Sequence, residues 1–279
     1  MNQIPSLKQA ESYLLEAQDL NPGKWIAHSR QVGQAAKLIA NQHPALDPEI
    51  SLILGYLHDI GRRSGITDIR HTYDGYQFLI KEGFPDAARI CITHSFPTKQ
   101  VCEVIDRWDA PKKYLRYIQK FLNAIEFNEY DKLLQLCDAL AMHNGFVLIE
   151  KRLVDAAMRR GINDFTIQRW QITFAIQAEF EEVMQESIYT ILDGVEANTF
   201  ASRQKKEDLS VLQDRLNQIT VHQLGHIGVR LHPGTPVADG QSPVLCRPAF
   251  PAIGPAIQLC GAQQTVPGIY SPGSPWLHK

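Results

Sequence analysis

Apolar residues recur every three or four positions through the first two hundred residues, and that spacing predicts helices. Leu7, Ala10, Leu14 and Ala17 mark the first, and Asn21-Pro22-Gly23 breaks it. Trp25, His28, Val32, Ala36 and Ile39 line the second. Asp47-Pro48 supplies a cap and a first helical residue for a third, which the pattern carries to Gly61. A short helix is expected from about Thr72 to Glu82, stopped by Gly83, and Pro85-Asp86 opens another that reaches His94. Later helices are expected over 111–125, 128–143, 146–160 and 164–192. No stretch alternates with period two between hairpin turns. The expected fold class is all-α.

The pattern changes after residue 200. Residues 201–216 fit a polar helix with Leu209, Leu212 and Leu216 on one face. From about 225 onward Gly and Pro make up roughly 30% of residues, a level associated with chains that form no packed domain. The stretch is also poor in charge, which is unusual for a solvated tail. The expected organisation is a helical domain over 1–200, followed by a polar helix and an irregular, disordered or aberrant extension over 201–279. An altered reading frame or an artificial end would give the same composition.

Composition narrows the function by exclusion. The 279 residues are 44% hydrophobic, as in a soluble globular protein, and carry a formal net charge of −2. There is thus no global basic field to gather nucleic acid. The first residues, MNQIPSLKQAESYLLEAQ, lack the basic-then-apolar order of a secretory signal, and no apolar run reaches the length of a membrane span. Cys91, Cys102, Cys137, Cys246 and Cys260 are odd in number and include no CxxC pair. They read as reduced thiols of a cytoplasmic protein.

The candidate chemistry lies in LILGYLHDIGRR, residues 52–63, where an apolar run ends on adjacent His58 and Asp59. A buried aspartate requires a partner. Four imidazoles (His28, His58, His71, His94) and two carboxylates (Asp59, Asp138) fall at apolar or helix-terminal positions before residue 145. A single buried histidine is usually a satisfied core residue, and Asp138 alone could pair with Arg107 or Arg152. Six such groups together would be a costly core without a ligand. Mixed imidazole and carboxylate donors suit Fe, Mn, Zn, Co or Ni rather than Mg. One ion could take His28, His58, Asp59 and Asp138. If Asp59 bridges, a second could take His71 and His94, and two ions about 3.5–4 Å apart would activate a bridging water.

The series His28, His58-Asp59, Asp138, with HDIG followed by a basic residue, resembles the HD-domain superfamily of metal-dependent phosphohydrolases. The resemblance covers roughly residues 24–145, and it implies an HD-type helical bundle with additional C-terminal helices. It also implies that His28, His58, Asp59 and Asp138 ligate one metal. Subgroups with two further histidines in the gap are similar to this chain at His71 and His94, and there the centre is dinuclear with the aspartate bridging. The implied cofactor is one or two divalent transition metals.

Hydrolysis of a phosphate ester or anhydride is the implied reaction. The substrate would be a small phosphorylated metabolite such as a nucleotide, attacked by a metal-activated hydroxide. Arg62 directly follows HDIG and is the candidate to help hold phosphate; Arg63 is a weaker one. Lys151 and Arg152 read as a solvent-facing stripe, and His143 as a surface or supporting group. The sequence departs from several HD subgroups. It lacks the His-His pair and GYP segment of cyclic-dinucleotide phosphodiesterases and the Glu-Asp pair of guanosine-tetraphosphate hydrolases. It has His94-Ser95-Phe96-Pro97 where dinucleoside tetraphosphatases follow the last histidine with Thr-x-Gly. Two other classes share the scaffold: dinuclear-iron oxygenases of the myo-inositol-oxygenase type, and regulatory HD modules without metal.

Overall fold

The computed structural model describes residues 3–103, 109 and 111–200. The expected polar helix at 201–216, the Gly/Pro-rich stretch, Arg107, Cys246 and Cys260 lie outside the described residues. Within them the chain is helical, as its pattern predicts, and Cys91, Cys102 and Cys137 are free thiols. No described helix is long and apolar enough to cross a membrane.

Helix α1 (Leu7–Leu20) starts at a capping box in which Ser6 and Gln9 satisfy each other's backbone N–H, and it buries Ala10, Leu14 and Ala17. Helix α2 (Lys24–Ala40) carries His28, and α3 (Pro48–Leu57) is capped by Asp47, whose Oδ1 accepts from the N–H groups of Glu49 and Ile50 at 2.8 and 2.9 Å. Residues 51–57 of α3 are all buried, so this helix is the axis of the core. It packs against α1, α2, α5 (Pro85–Thr93) and α7 (Glu129–Leu140). Its closest approach is to α2. A Cβ on Gly55 would lie 2.4 Å from the Gly33 Cα, so only glycines let the two backbones meet.

The third helix is shorter than its pattern predicts. It stops at Leu57, His58 forms its C-cap, and Ile60–Ser64 is a 3₁₀ turn. Gly61 explains the change of course. A Cβ there would lie 1.9 Å from the carbonyl oxygen of His71, on α4 (Arg70–Lys81). The tighter turn brings the chain flush against α4 and sets Asp59 facing His71. Apolar periodicity continues through such a turn, which is why the pattern alone does not show the break.

Three other boundaries differ. Helix α4 begins at Arg70, two residues before Thr72. The segment expected as helix to 143 ends at Leu140, and Ala141–Met142 (β1) pairs antiparallel with Gly145–Phe146 (β2). This small hairpin corrects the expectation of no strand; its turn places Gly145 at φ +139, which glycine tolerates. The long helix expected over 164–192 divides into α9 (Thr166–Met184) and α10 (Ile188–Ile191), because Gln185 adopts φ 54 and Ser187 caps a new start. Helix α6 (Lys112–Asn123) precedes α7 and buries Ile118 and Leu122 against Ile92 and Phe96. Helix α8 (Ile149–Arg160) follows the hairpin, and α11 (Val195–Phe200) closes the described chain.

Candidate metal centre

Five segments deliver the six predicted groups to one place. His28 comes from the first turns of α2, His58 and Asp59 from the end of α3, His71 from the start of α4, His94 from the C-cap of α5, and Asp138 from the last turn of α7. Five of them, all but the buried His58, line one cavity of about 550 Å³, and His58 lies within 4.8 Å of donor atoms of His28, Asp138, Asp59 and His94. The ring centroids of His28 and His58 are 5.4 Å apart, those of His58 and His94 4.9 Å, and those of His71 and His94 5.7 Å.

The backbone sets the imidazole tautomers. The Nδ1 atom of His58 hydrogen-bonds the Gly55 carbonyl at 2.7 Å, that of His94 the Ile90 carbonyl at 2.9 Å, and that of His71 the Asp68 carbonyl. A carbonyl only accepts, so each Nδ1 carries the proton and each Nε2 presents a lone pair to the cavity. The Nε2 atoms of His58 and His71 are buried and have no hydrogen-bond partner. His71 Nε2 is 3.0 Å from Asp59 Oδ1, yet off the axis a hydrogen bond needs, and His94 Nε2 is 3.7 Å from the same oxygen. The His71 lone pair therefore faces a carboxylate oxygen without a hydrogen bond to it. That arrangement is repulsive unless a cation fills it.

The electrostatics agree. Burial, then the charge of His28, holds the His58 imidazole below its ordinary range, and burial, then His58, pushes His94 down to about 3. Both rings are therefore neutral at pH 7, as metal ligation requires. Burial alone would raise the Asp59 carboxyl, but Arg62, His71 and His58 together hold it well below the usual carboxylate range. Asp138 is likewise kept ionised against burial, by a 2.9 Å hydrogen bond with His28 Nε2 and by Arg152.

Two sets of donor atoms lie within 4.8 Å of one another: His28, His58 and Asp138, and His58, Asp59 and His94. The first is the expected first site without Asp59. The second joins Asp59 to His94 as expected, but through His58, with His71 attached by its contact to Asp59 Oδ1. The residues present fit a divalent transition metal by donor type, neutral state and the two unsatisfied Nε2 atoms.

Arg62 lies beside the centre, donating from Nε to Asp59 Oδ2 at 2.7 Å and from Nη1 to the Thr67 carbonyl at 3.1 Å. Arg63 points away, to Glu16 and over the Phe78 ring. The solvent-facing stripe is corrected at Arg152, which lines the cavity with Nη2 3.5 Å from Asp138 Oδ1 and Nε donating to the Ala141 carbonyl at 3.2 Å. Lys151 instead donates to the Thr199 carbonyl. His143 stands exposed at the cavity wall, its imidazole lowered by burial, then by Lys24 and His28.

Sequence reasoning passed over two polar groups of this cavity. Gln135, one turn before Asp138, donates to the Thr93 carbonyl at 2.9 Å and leaves a buried Oε1 without a partner. Ser95 hydrogen-bonds His94 Nε2 at 2.8 Å. The spacing of Gln135 to Asp138 is the signal that could have found the first, since residues three apart share a helix face.

An all-helical fold that turns imidazole nitrogens and carboxylates into one cavity defines a class of metal-binding domains. Residues 25–143 match the family model described as HD domain, so the chain carries an HD domain across α2 to the β1–β2 turn. HD domains are generally metal-dependent hydrolases that bind divalent metals. No curated protein and no solved structure matches the chain.

Proposed function

We propose that this protein is a metal-dependent phosphohydrolase acting on a small phosphorylated substrate, an ester or anhydride such as a nucleotide. The observation that carries the reading is the pair of buried Nε2 atoms of His58 and His71, left without a hydrogen-bond partner and aimed by backbone carbonyls toward the Asp59 carboxylate. His28, His58 and Asp138 would hold one divalent ion, and Asp59 with His71 and His94 a second, Asp59 bridging. Bound there, such ions supply Lewis acidity and bring the pKa of water toward neutrality, the requirement for attack on phosphorus at pH 7.

The chain's own residues do the positioning. Carbonyls of Gly55, Asp68 and Ile90 fix three imidazole rings, so little reorganisation accompanies the reaction. Arg62 steadies Asp59 and Arg152 approaches Asp138, which puts a guanidinium beside each carboxylate. Both cations then border the space where charge develops on non-bridging phosphate oxygens. Arg62 keeps its expected part in holding phosphate, with orientation of Asp59 as a second task.

The test is phosphate release under nitrogen by protein reconstituted anaerobically with Mn or Fe, on nucleotides, dinucleoside polyphosphates and small phosphomonoesters. Release by the wild type, and none by Asp59→Ala, is expected. Turnover that requires dioxygen and frees no phosphate would overturn the reading in favour of an oxygenase, and a protein that takes up no metal would overturn it in favour of a regulatory module.

A further inference from the structure

The cavity has a second cationic zone, outside the HD domain. Helix α8 contributes Arg152, Ala156, Arg159 and Arg160 to its wall, positions that fall on one face two turns long. Arg152 is at the metal end, 3.5 Å from Asp138. Seven residues of helix advance about 10.5 Å, so Arg159 and Arg160 stand roughly that far along the wall. Asp155 is the acid among them, paired with Arg159 at 2.9 Å. The Asp155 side chain is 13% accessible but that of Arg159 is 51% accessible, so the guanidinium keeps donors open to a ligand anion beside its ion pair. Arg169, on α9, also lines the cavity but is occupied by Glu103, and Lys24 is a further lining residue.

We propose that Arg159 and Arg160 form a second anion site, and that the substrate carries a second phosphate or comparable anionic group remote from the scissile one. The inference rests on the phosphohydrolase reading for the identity of the first group. An arginine at the ligands and two more about two turns away measure out an elongated, doubly anionic molecule; a compact phosphomonoester would leave the far pair unused. Guanidinium suits this task because its planar fork binds phosphate in bidentate fashion. The helix gives the ruler and the side chains give the tolerance.

The experiment uses probes that no hydrolase can cleave: linear α,ω-alkane bisphosphonates of three to ten carbons, each compared with the alkylphosphonate of equal length. Calorimetry measures their binding to full-length, Mn-loaded protein. A bisphosphonate of intermediate length should bind about tenfold or more tightly than its monophosphonate. That advantage should vanish in Arg159→Gln/Arg160→Gln and be reduced but still measurable in Arg159→Lys/Arg160→Lys, which keeps the charge without the bidentate fork and controls for folding. Equal binding of the two probes by the wild type, or an advantage that survives in the Gln variant, would overturn the anion site and leave the phosphohydrolase reading standing. A bisphosphonate advantage in a protein that releases no phosphate from any substrate would do the reverse. Binding of neither probe would sink both.

Discussion

The ligand floor and the α8 wall face the same cavity but are built on opposite plans. On the floor, His58 and His94 are buried caps of helices, and their rings are fixed by carbonyls of the preceding turn. The backbone itself is wedged, with Gly61 against His71 and Gly33 against Gly55. On the wall, long arginine side chains reach in from a helix that buries only Ile149, while Val154 and Met158 are exposed at 52% and 83%. The floor spends conformational freedom to fix atoms, as a metal centre requires. The wall is more open to solvent, with the Arg159 side chain 51% accessible, which suits recognition of an anion arriving from outside. On the proposed function, chemistry falls to the rigid surface and selectivity to the more exposed one.

The sharpest break of this comparison is Asp59→Ala. It removes the carboxylate shared by His71, His94, His58 and Arg62, and should lose both metals and lower turnover by at least about a thousandfold, on the scale of losing a metal nucleophile's activation. Metal analysis and phosphate release read it, with circular dichroism expected to stay helical. A variant that retained metal and rate would remove Asp59 from the centre.

Gly61→Ala strikes the floor through its backbone. The new methyl must push on the His71 carbonyl, so denaturant unfolding should show a loss of about 1–3 kcal/mol or more, and metal affinity should fall with it. The equivalent change on the wall, Ala156→Gly, should alter stability by only about 1 kcal/mol. Equal responses would erase the distinction between the rigid and the more exposed surface.

A smaller effect is expected from Arg62→Gln, which leaves every ligand in place but removes the 2.7 Å bond that steadies Asp59. Metal affinity should drop about 10–100-fold, the usual consequence of deleting a group that orients a ligand. An unchanged metal affinity with a raised KM would instead assign Arg62 to substrate alone.

A pH effect is expected at the Glu103–Arg169 pair, away from both surfaces' substitutions. Burial raises the Glu103 carboxyl to about 7, against the opposing pull of Arg169. A group that is protonated when folded and ionised when unfolded contributes stability below its unfolded pKa, and that contribution fades as pH rises from 4.5 to about 7. Glu103→Gln should flatten this slope, worth on the order of 1–3 kcal/mol, in unfolding measured across that window. A slope identical to the wild type's would show that Glu103 stays ionised with Arg169.

Much of the floor was legible in the letters. Helical spacing located α1 to α5 and α7, and the series His28, His58-Asp59, His71, His94, Asp138 pointed to a single cavity before any geometry was known. Boundaries were less so. The stop after Leu57 depends on a contact between Gly61 and a helix ten residues later, and the β1–β2 hairpin is too short to leave an alternating pattern. The wall was least legible. Arg152 looks like any solvated arginine on an amphipathic helix, and only the packing of α8 beside α7 turns it toward Asp138. Gln135 hid in the same way, as a polar letter in an apolar run whose partner, the Thr93 carbonyl, lies 42 residues away.

The most direct test of the metal centre is X-ray absorption at the metal edge of protein reconstituted with Mn or Fe. The account predicts a shell of nitrogen and oxygen donors with the multiple scattering of several imidazoles and, when two ions bind, a metal–metal feature near ~3.5–4 Å. A shell of oxygen alone, without imidazole scattering, would contradict it, because the inward-facing Nε2 atoms would then have no part in holding the ion.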